Sequence, residues 1–211
     1  MPIACQPLAC TGRGEQSMIS LVTGVGAKGQ VGEAVARALA VRGDTVLIVA
    51  RTDAEAQARA SDLTADGHRA HGYACDLSDP DAVARLERTV TGEHGDRLDA
   101  LVNLAGGFGS SGTIASSDVA TFQRMFAINL STAYLTTRAF LPMVQAARGS
   151  IVYFASEAVL DGARTKGMAG YVAAKSAVVA LMRSVADESR DAGVPANPLA
   201  PPSLPTRTKV P

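Results

Sequence analysis

A tyrosine and a lysine four residues apart, Tyr171 and Lys175, stand out in the Ala- and Val-rich segment AGYVAAKSAVVALMRSVADE. Residues at positions i and i+4 of a helix are neighbours, with Cβ atoms ~5–6 Å apart. A free tyrosine has a pKa near ~10, and an ammonium ~5 Å away favours the phenolate by roughly 3 kcal/mol, or about two pKa units, at an effective dielectric of ~20. Such a pair can give and take a proton near neutral pH. Taken alone, however, the spacing favours a tyrosine packed beneath a snorkelling lysine.

Further polar residues follow the apolar runs that predict strands. Ser156 ends the run GSIVYFAS, fifteen residues before Tyr171, and Asn103 ends the run in LDALVNLAGG. Asp76 follows another strand in CDL, and Asn129 interrupts the apolar segment MFAINLSTAYL, where an amide is costly unless it is hydrogen-bonded. Each of them could be a cap, a turn residue or a satisfied core residue. Together they fall where a nucleotide-dependent site needs polar groups.

A glycine-rich stretch, TGVGAKGQVG, lies directly between the first strand and the first helix. Gly24, Gly26 and Gly29 fit the pattern G-x-G-x-x-G, and Gly32 follows one helical turn later. Glycines let the backbone turn sharply and approach a pyrophosphate, which then rests on the helix N-terminus. Because many such loops are simple turns, the position between strand and helix is what favours dinucleotide binding.

The end of the second strand bears on the choice of dinucleotide. An acidic residue there would accept hydrogen bonds from the adenosine ribose of NAD. This chain has Ala50 and Arg51 instead, and Lys28 lies inside the glycine loop. Two cations and no acid favour the 2′-phosphate of NADP over NAD. Solvated surface cations are the alternative.

The elements that must position these residues alternate strand and helix from Ile19 onward. Short apolar runs such as ISLVTG and TVLIVA predict buried strands, and amphipathic segments between them predict helices. The stretch 121–147 is predicted to be largely helical, with a break near Pro142. This alternation predicts an α/β fold: a Rossmann-like, doubly wound parallel sheet in three α/β/α layers, with its ligand at the carboxyl ends of the strands.

The composition limits the classes of function. The 211 residues suit one domain or at most two small ones, and the 20 basic residues balance the 20 acidic ones, so a nucleic-acid partner is disfavoured. The three cysteines show neither a disulfide framework nor metal-ligand spacing, and no metal is predicted. No apolar run approaches the ~20 residues that span a bilayer. A cytoplasmic protein without a membrane partner is expected.

With these motifs in place, the sequence resembles the short-chain dehydrogenase/reductase family over about residues 19–203. The family's first turn, T-G-x-x-x-G-x-G, matches at Thr23 and Gly24, but the later glycines here fall at 26, 29 and 32, so the loop is longer. Its N-N-A-G motif appears as Asn103-Leu104-Ala105-Gly106, with the second asparagine replaced. The family's helix asparagine, serine and Y-x-x-x-K motif match Asn129, Ser156 and Tyr171 with Lys175.

The resemblance implies an NADP-dependent oxidoreductase that interconverts a carbonyl and a secondary alcohol, with 3-oxoacyl thioesters as one plausible substrate class. Tyr171 would protonate the carbonyl oxygen, Ser156 orient it, Lys175 lower the tyrosine pKa and hold the nicotinamide ribose, and Asn129 support a water. The expected cofactor-binding residues are Thr23, Gly24, Gly26, Lys28, Gly29, Gly32, Arg51, Asp76, Leu77, Asn103, Ala105, Gly106, Tyr171 and Lys175. A homo-oligomer through the helices around 121–147 and 170–190 is possible in this family.

The C-terminal stretch departs from the family. Six of the seventeen residues from Pro195 to Pro211 are proline, and Pro195 and Pro198 fall where the sixth strand is expected. We therefore predict a disordered leader at 1–18, a catalytic domain at 19–203 that lacks the usual last strand, and an irregular tail at 204–211. The alternative function is a nucleotide-binding but catalytically inactive, truncated homologue.

Overall fold

The computed structural model describes residues 17–160 and 163–201. The leader to residue 16 and the tail from 202 onward therefore lie outside the described residues. The strands are β1 (Ile19–Thr23), β2 (Thr45–Ala50), β3 (Arg69–Ala74), β4 (Ala100–Asn103), β5 (Ser150–Phe154) and β6 (Ala196–Leu199). The helices are α1 (Val31–Arg42), α2 (Asp53–Ala65), α3 (Pro80–His94), α4 (Val119–Phe126), α5 (Thr132–Ala147) and α6 (Ala169–Glu188).

The six strands form one parallel sheet in the order β3-β2-β1-β4-β5-β6. The chain runs outward from β1 to β3 and then crosses back to β4, so the strand order reverses between β1 and β4. Ligands of doubly wound sheets bind at such a reversal, beyond the carboxyl ends of the strands. The predicted doubly wound parallel sheet is confirmed.

Two apolar layers cover the two faces of the sheet. On one face, strand residues such as Leu21 and Leu47 pack with Leu86 of α3, Phe140 of α5 and Val178 of α6. The other face packs against α1 and α2, through residues that include Ala36, Ala40, Ala60 and Leu63. The small side chains on α1 bring that helix close to the sheet, next to the glycine-rich turn.

The sixth strand forms despite its prolines, which corrects the expectation that they would interrupt it. Ala196–Leu199 pairs in parallel with β5, and the carbonyls of Pro195 and Leu199 accept hydrogen bonds from the N–H groups of Ile151 (2.9 Å) and Ala155 (2.8 Å). Because backbone groups of alternate residues point to opposite sides of a strand, the missing N–H of Pro198 falls on the side away from β5. Since β6 is the edge of the described sheet, that missing donor costs no ladder bond.

The predicted break near Pro142 is also wrong, because α5 continues through that residue. Pro142 is exposed, so the helix carbonyl that loses its donor can bond to water. The irregular turn of this helical stretch lies earlier, at Ala127–Ser131, where the backbone forms a π-helical turn between α4 and α5. Such turns are often found at functional sites, and this one contains Asn129.

Helix α6 is long and apolar enough, at 20 residues and a mean hydropathy of 1.2, to meet the length and composition criteria for a membrane span. It contacts β5 and β6, and its inward face buries Ala174, Lys175, Val178, Met182 and Val185. A core helix of a soluble domain meets the same criteria, so this property is weak evidence for membrane insertion.

A buried carboxylate joins β1 to β2 at the amino end of the sheet. Asp44, 2% exposed, accepts two hydrogen bonds from Arg42 (3.0 and 2.6 Å) and a short one from the Ser20 hydroxyl. We expect Asp44→Asn to lower the free energy of unfolding by about 2–3 kcal/mol, because the guanidinium and hydroxyl lose a charged acceptor. Urea denaturation measures this loss. Asp66→Asn, which removes the exposed partner of Arg37, is the control and should leave stability nearly unchanged. Equal losses from the two substitutions would contradict a special stabilising role of the buried Asp44 carboxylate.

Candidate active site

The loops that follow β1 and β4 are joined by the hydroxyl of Thr23. Its Oγ1 accepts hydrogen bonds from the backbone N–H groups of Leu104 and Ala105 (both 3.0 Å) and donates to the carbonyl of Val102 (3.2 Å). Gly24 has a φ of +73°, and a Cβ there would lie 2.6 Å from the Cα of Ala105. Only glycine permits this close approach. The Thr23 hydroxyl therefore holds the two loops together below the site, and Gly24 lets them come close.

A groove of about 320 Å³ lies over the carboxyl ends of β1 to β4. The predicted cofactor-binding residues that line it are Gly24, Gly26, Arg51, Asp76, Leu77, Ala105 and Gly106. They come from four separate loops and are mostly small, so the backbone rather than side chains forms much of the wall. This is the wall that a dinucleotide needs for close approach of its phosphates.

Gln30, Ser78 and Thr132 also line the groove, although sequence patterns did not single them out. Gln30 precedes α1 within the glycine-rich turn, and Ser78 follows Asp76 by two residues. Thr132 comes three residues after Asn129, and i, i+3 spacing on a helix was the available signal for it.

Several predicted cofactor-binding residues lie elsewhere. Lys28 is 4.0 Å from Asp62 of α2, and the N–H of Gly29 donates to the Glu33 carboxylate at 3.1 Å. A Cβ on Gly32 would lie 2.6 Å from the carbonyl oxygen of Gly24, so this glycine permits close packing of α1 against the turn. None of these three residues is among those that line the groove.

Asn103 points into the protein, not into the groove. Its Nδ2 donates to Oγ1 of Thr137 at 3.0 Å, and that hydroxyl is 2.8 Å from the Tyr153 hydroxyl. The residue is 4% exposed. Its contacts connect the end of β4 to α5 and β5, so its contribution to the groove is structural support.

At the end of β3, the pKa values of Asp76 and Cys75 are shifted in opposite directions. Hydrogen bonds from the Ser78 hydroxyl (2.6 Å) and N–H (2.9 Å) hold the pKa of the Asp76 carboxyl below its usual range. Burial raises the pKa of the Cys75 thiol to about 11. The groove wall at this strand therefore carries a fixed carboxylate beside an unreactive thiol.

Asn129 is 1% exposed, and several hydrogen bonds fix its amide. Its Nδ2 donates to the carbonyls of Met125 (2.9 Å) and Gly107 (3.0 Å), and its Oδ1 accepts from the N–H of Gly107 (3.2 Å). The amide thus ties the π-helical turn to the loop after β4. Its burial in an apolar helix costs little because its hydrogen bonds are made.

Lys175 is buried on α6, 6% exposed, and its ammonium donates to the carbonyl of Phe154 at 2.7 Å. Burial lowers the pKa of this lysine to about 8. A Cβ on Gly106 would lie 3.3 Å from Nζ of Lys175 and 2.5 Å from Oδ1 of Asn129. Gly106 lines the groove, so Lys175 and Asn129 lie directly behind that corner of its wall, although neither is among the lining residues.

Tyr171 lies one helical turn before Lys175 on α6 and is half-buried. Its ring packs edge-to-face with that of Phe108, with centroids 5.2 Å apart and planes at 77°. Ser156 follows β5 and caps the short 3₁₀ turn Glu157–Val159, its Oγ accepting from the N–H of Ala158 at 3.2 Å. The serine O–H stays able to donate to a substrate oxygen.

The arrangement can support proton transfer beside a bound nucleotide. The Tyr171 phenol and the buried Lys175 ammonium lie on α6, and the Ser156 hydroxyl follows β5, a strand that α6 contacts. Gly106, which lines the groove, lies next to the Lys175 ammonium. The groove residues fit a dinucleotide, because those that line it from the β1 and β4 loops are mostly glycine and alanine. Arg51, exposed after β2, would face the adenosine end.

The fold and this site define an α/β protein of the doubly wound class with a nucleotide-type groove at its topological switch point. The chain belongs to the short chain dehydrogenase family, whose model matches residues 19–210. The family resemblance drawn from the sequence motifs is therefore confirmed.

Known relatives agree with this membership. An uncharacterized oxidoreductase of Mycobacterium tuberculosis is 34% identical over 170 residues, covering 80% of this chain and 62% of that protein. The sex determination protein tasselseed-2 of Zea mays is 37% identical over 188 residues, covering 87% of this chain and 54% of that protein. The crystal structure of a metagenomic short-chain oxidoreductase in complex with NADP matches with a TM-score of 0.79 at 34% identity, covering 89% of this chain and 83% of that one. The chain thus spans 54–62% of the length of these two curated relatives.

Proposed function

We propose that this protein is a nicotinamide-dependent oxidoreductase that interconverts a carbonyl and a secondary alcohol. The observation that carries the proposal is at Gly106, which lines the groove and lies beside the buried ammonium of Lys175 and the amide of Asn129, one helical turn from Tyr171. A charged lysine is costly to bury. Burial of Lys175 beside a dinucleotide-type groove is explained if this lysine takes part in proton transfer.

Each of the four predicted catalytic residues has a role in the proposed reaction. Tyr171 donates a proton to the carbonyl oxygen during reduction and removes it during oxidation, while the Ser156 hydroxyl donates a hydrogen bond to the same oxygen. Lys175 stabilises the negative charge that develops on the phenol oxygen, and Asn129 fixes the loop around Gly107. A nicotinamide cofactor held in the groove would supply the hydride-transfer chemistry.

For the cofactor we propose NADP rather than NAD, which rests on Arg51. This side chain is exposed, follows β2 directly and lines the groove. A guanidinium binds a phosphate through paired, charge-assisted hydrogen bonds. Lys28, the second cation in the sequence argument, lies 4.0 Å from Asp62 and is the weaker candidate.

We expect Arg51→Ala to raise the Kd for NADPH about 10- to 100-fold and to change that for NADH by less than about threefold, because only NADPH carries the 2′-phosphate. Fluorescence titration of both reduced dinucleotides measures the two constants. Lys28→Ala is the matched control and should change the NADPH Kd much less. Equal weakening of both dinucleotides by Arg51→Ala would refute the NADP assignment.

The function as a whole is tested by NADPH binding and by NADPH consumption with a panel of ketones and acyl thioesters, beside a Tyr171→Phe variant. Binding followed by Tyr171-dependent turnover is the expected result. Binding without turnover would favour the alternative of a catalytically inactive nucleotide-binding protein. Failure to bind either dinucleotide would overturn both functions.

Three further properties belong to the same proposal. Acyl thioesters carrying a 3-oxo group are one substrate class in the panel.

A reducing compartment such as the cytoplasm is proposed because Cys75 is a free, buried thiol. A homo-oligomer is proposed through the helices around 121–147 and 170–190, where Val119 and Phe122 of α4 and Tyr134 of α5 leave apolar surface exposed. Light scattering of the purified protein measures the oligomeric state.

A further inference from the structure

Phe108 is the one residue with a side chain in the stretch Gly106-Gly107-Phe108-Gly109, directly after β4. The ring is 61% exposed although it is large and apolar. It nevertheless has a defined neighbour, because it packs edge-to-face on Tyr171. An exposed phenylalanine in contact with the proposed proton donor lies where a substrate must arrive.

The flanking glycines hold this stretch against α4 and the π-helical turn. Both the N–H and the carbonyl of Gly107 are bonded by Asn129 (3.2 and 3.0 Å). Cβ atoms at Gly107 and Gly109 would lie 3.2 Å from Cδ1 of Ile128 and 2.9 Å from Cε of Met125, so both glycines are in close contact with that wall. The backbone on either side of Phe108 is therefore fixed, while its ring extends to α6.

A carbonyl that accepts a proton from Tyr171 lies beside the ring on which Phe108 packs, so one of its two substituents can reach the exposed Phe108 ring. Aromatic pairs are stabilised by more than the burial of their area. The ring also offers exposed apolar surface that a flat substituent can cover. We infer that Phe108 is a specificity-determining residue that favours carbonyl substrates with an aryl or other planar apolar group next to the reacting carbon. This inference rests on the proposed function and names the substrate class of that same site.

A purely supporting role for Phe108 makes a different prediction. If the ring served only to hold Tyr171 in place, its removal would slow all substrates by the same factor. If the ring contacts the substrate, its removal must lower the discrimination between aryl and alkyl ketones. The ratio of kcat/KM values for two ketones therefore separates the roles.

The test compares acetophenone with 2-octanone, which have the same number of carbon atoms, as substrates for NADPH-dependent reduction. We expect Phe108→Ala to lower kcat/KM for acetophenone about tenfold and for 2-octanone at most about threefold. Phe108→Leu should restore 2-octanone reduction but not acetophenone reduction. Val41→Ala, which removes an exposed apolar side chain from α1, is the control and should change neither value.

A second measurement does not depend on turnover. Saturation-transfer NMR on the protein loaded with NADP⁺ gives the affinity for each ketone, and Phe108→Ala should weaken acetophenone about tenfold relative to 2-octanone. If the wild-type protein reduces neither ketone but this binding difference persists, reduction of ketones fails while the preference of Phe108 for aryl ligands stands. An unchanged aryl-to-alkyl ratio in Phe108→Ala, or no binding of acetophenone to the wild type, would overturn the inference.

Discussion

Replacement of Tyr171 by phenylalanine should lower kcat for ketone reduction about a thousandfold, with the Kd for NADPH changed less than about twofold. The substitution removes only the oxygen that gives the proton to the carbonyl, and general acid catalysis contributes ~10²- to 10⁴-fold. A thousandfold loss corresponds to about 4 kcal/mol of transition-state stabilisation. The ring and its packing on Phe108 are kept, so the site geometry should stay intact.

The measurement is steady-state NADPH consumption, with dinucleotide binding followed by fluorescence. Tyr134→Phe removes the same oxygen from a half-exposed tyrosine on α5 and should retain full activity. Melting temperatures of both variants should lie close to that of the wild type, because an exposed or half-buried hydroxyl contributes little to stability. If Tyr171→Phe kept more than a tenth of the activity, another group would have to be the proton donor.

The second large effect concerns Lys175. Lys175→Met keeps the apolar stem and removes the ammonium, so it should lower kcat about a hundredfold or more, because charge developing on the phenol oxygen loses its stabilisation.

The same change should alter how stability depends on pH. Burial lowers the pKa of Lys175 to about 8 in the folded protein, while an unfolded lysine titrates near ~10.4.

The sign of the pH effect follows from the protons bound in each state. Between about pH 8 and ~10.4 the unfolded chain keeps a proton on Lys175 that the folded protein has lost, so the folded state gains stability as pH rises through this window. The gain approaches ~3 kcal/mol at full titration. Lys175→Met lacks the gain, and groups such as Tyr73 titrate alike in both proteins.

Urea denaturation of the wild type and Lys175→Met at several values between pH 7 and 10.5 measures this difference. The free energy of unfolding of the wild type should rise relative to that of the variant by about 2–3 kcal/mol across the window. A difference that is constant with pH would show that the lysine titrates normally. A difference that falls with pH would show that its ammonium is stabilised by the fold.

The parts of the fold that follow from short-range patterns could be predicted. Apolar runs bounded by turns gave the first five strands, and their alternation with helices gave the parallel sheet, because buried parallel strands need crossover helices. The two proline predictions failed for a positional reason. Pro198 lies on the edge of the described sheet and Pro142 on the solvent face of α5, where a missing donor costs little.

The candidate site could be predicted where spacing along one element fixes a contact, and where residues follow the carboxyl ends of parallel strands, as the predicted residues that line the groove do. Tyr171 and Lys175 share a helix, so their proximity follows from the sequence. The position of Lys28 beside Asp62 and the packing of Phe108 on Tyr171 depend on residues that are 34 and 63 positions apart in the chain. No local pattern contains such contacts, and they required the folded structure.

The hydroxyl of Thr23 has a consequence for cooperativity. It bonds to backbone groups 79 to 82 positions further along the chain, so the two walls of the groove come from distant segments. These segments extend β1 and β4, which are paired neighbours inside the sheet and not an edge that can fray. Separating the walls means separating those strands, which amounts to unfolding the domain. A dinucleotide held between the walls therefore acts as a cross-link of the whole fold, and each tenfold excess over its Kd adds about 1.4 kcal/mol to global stability.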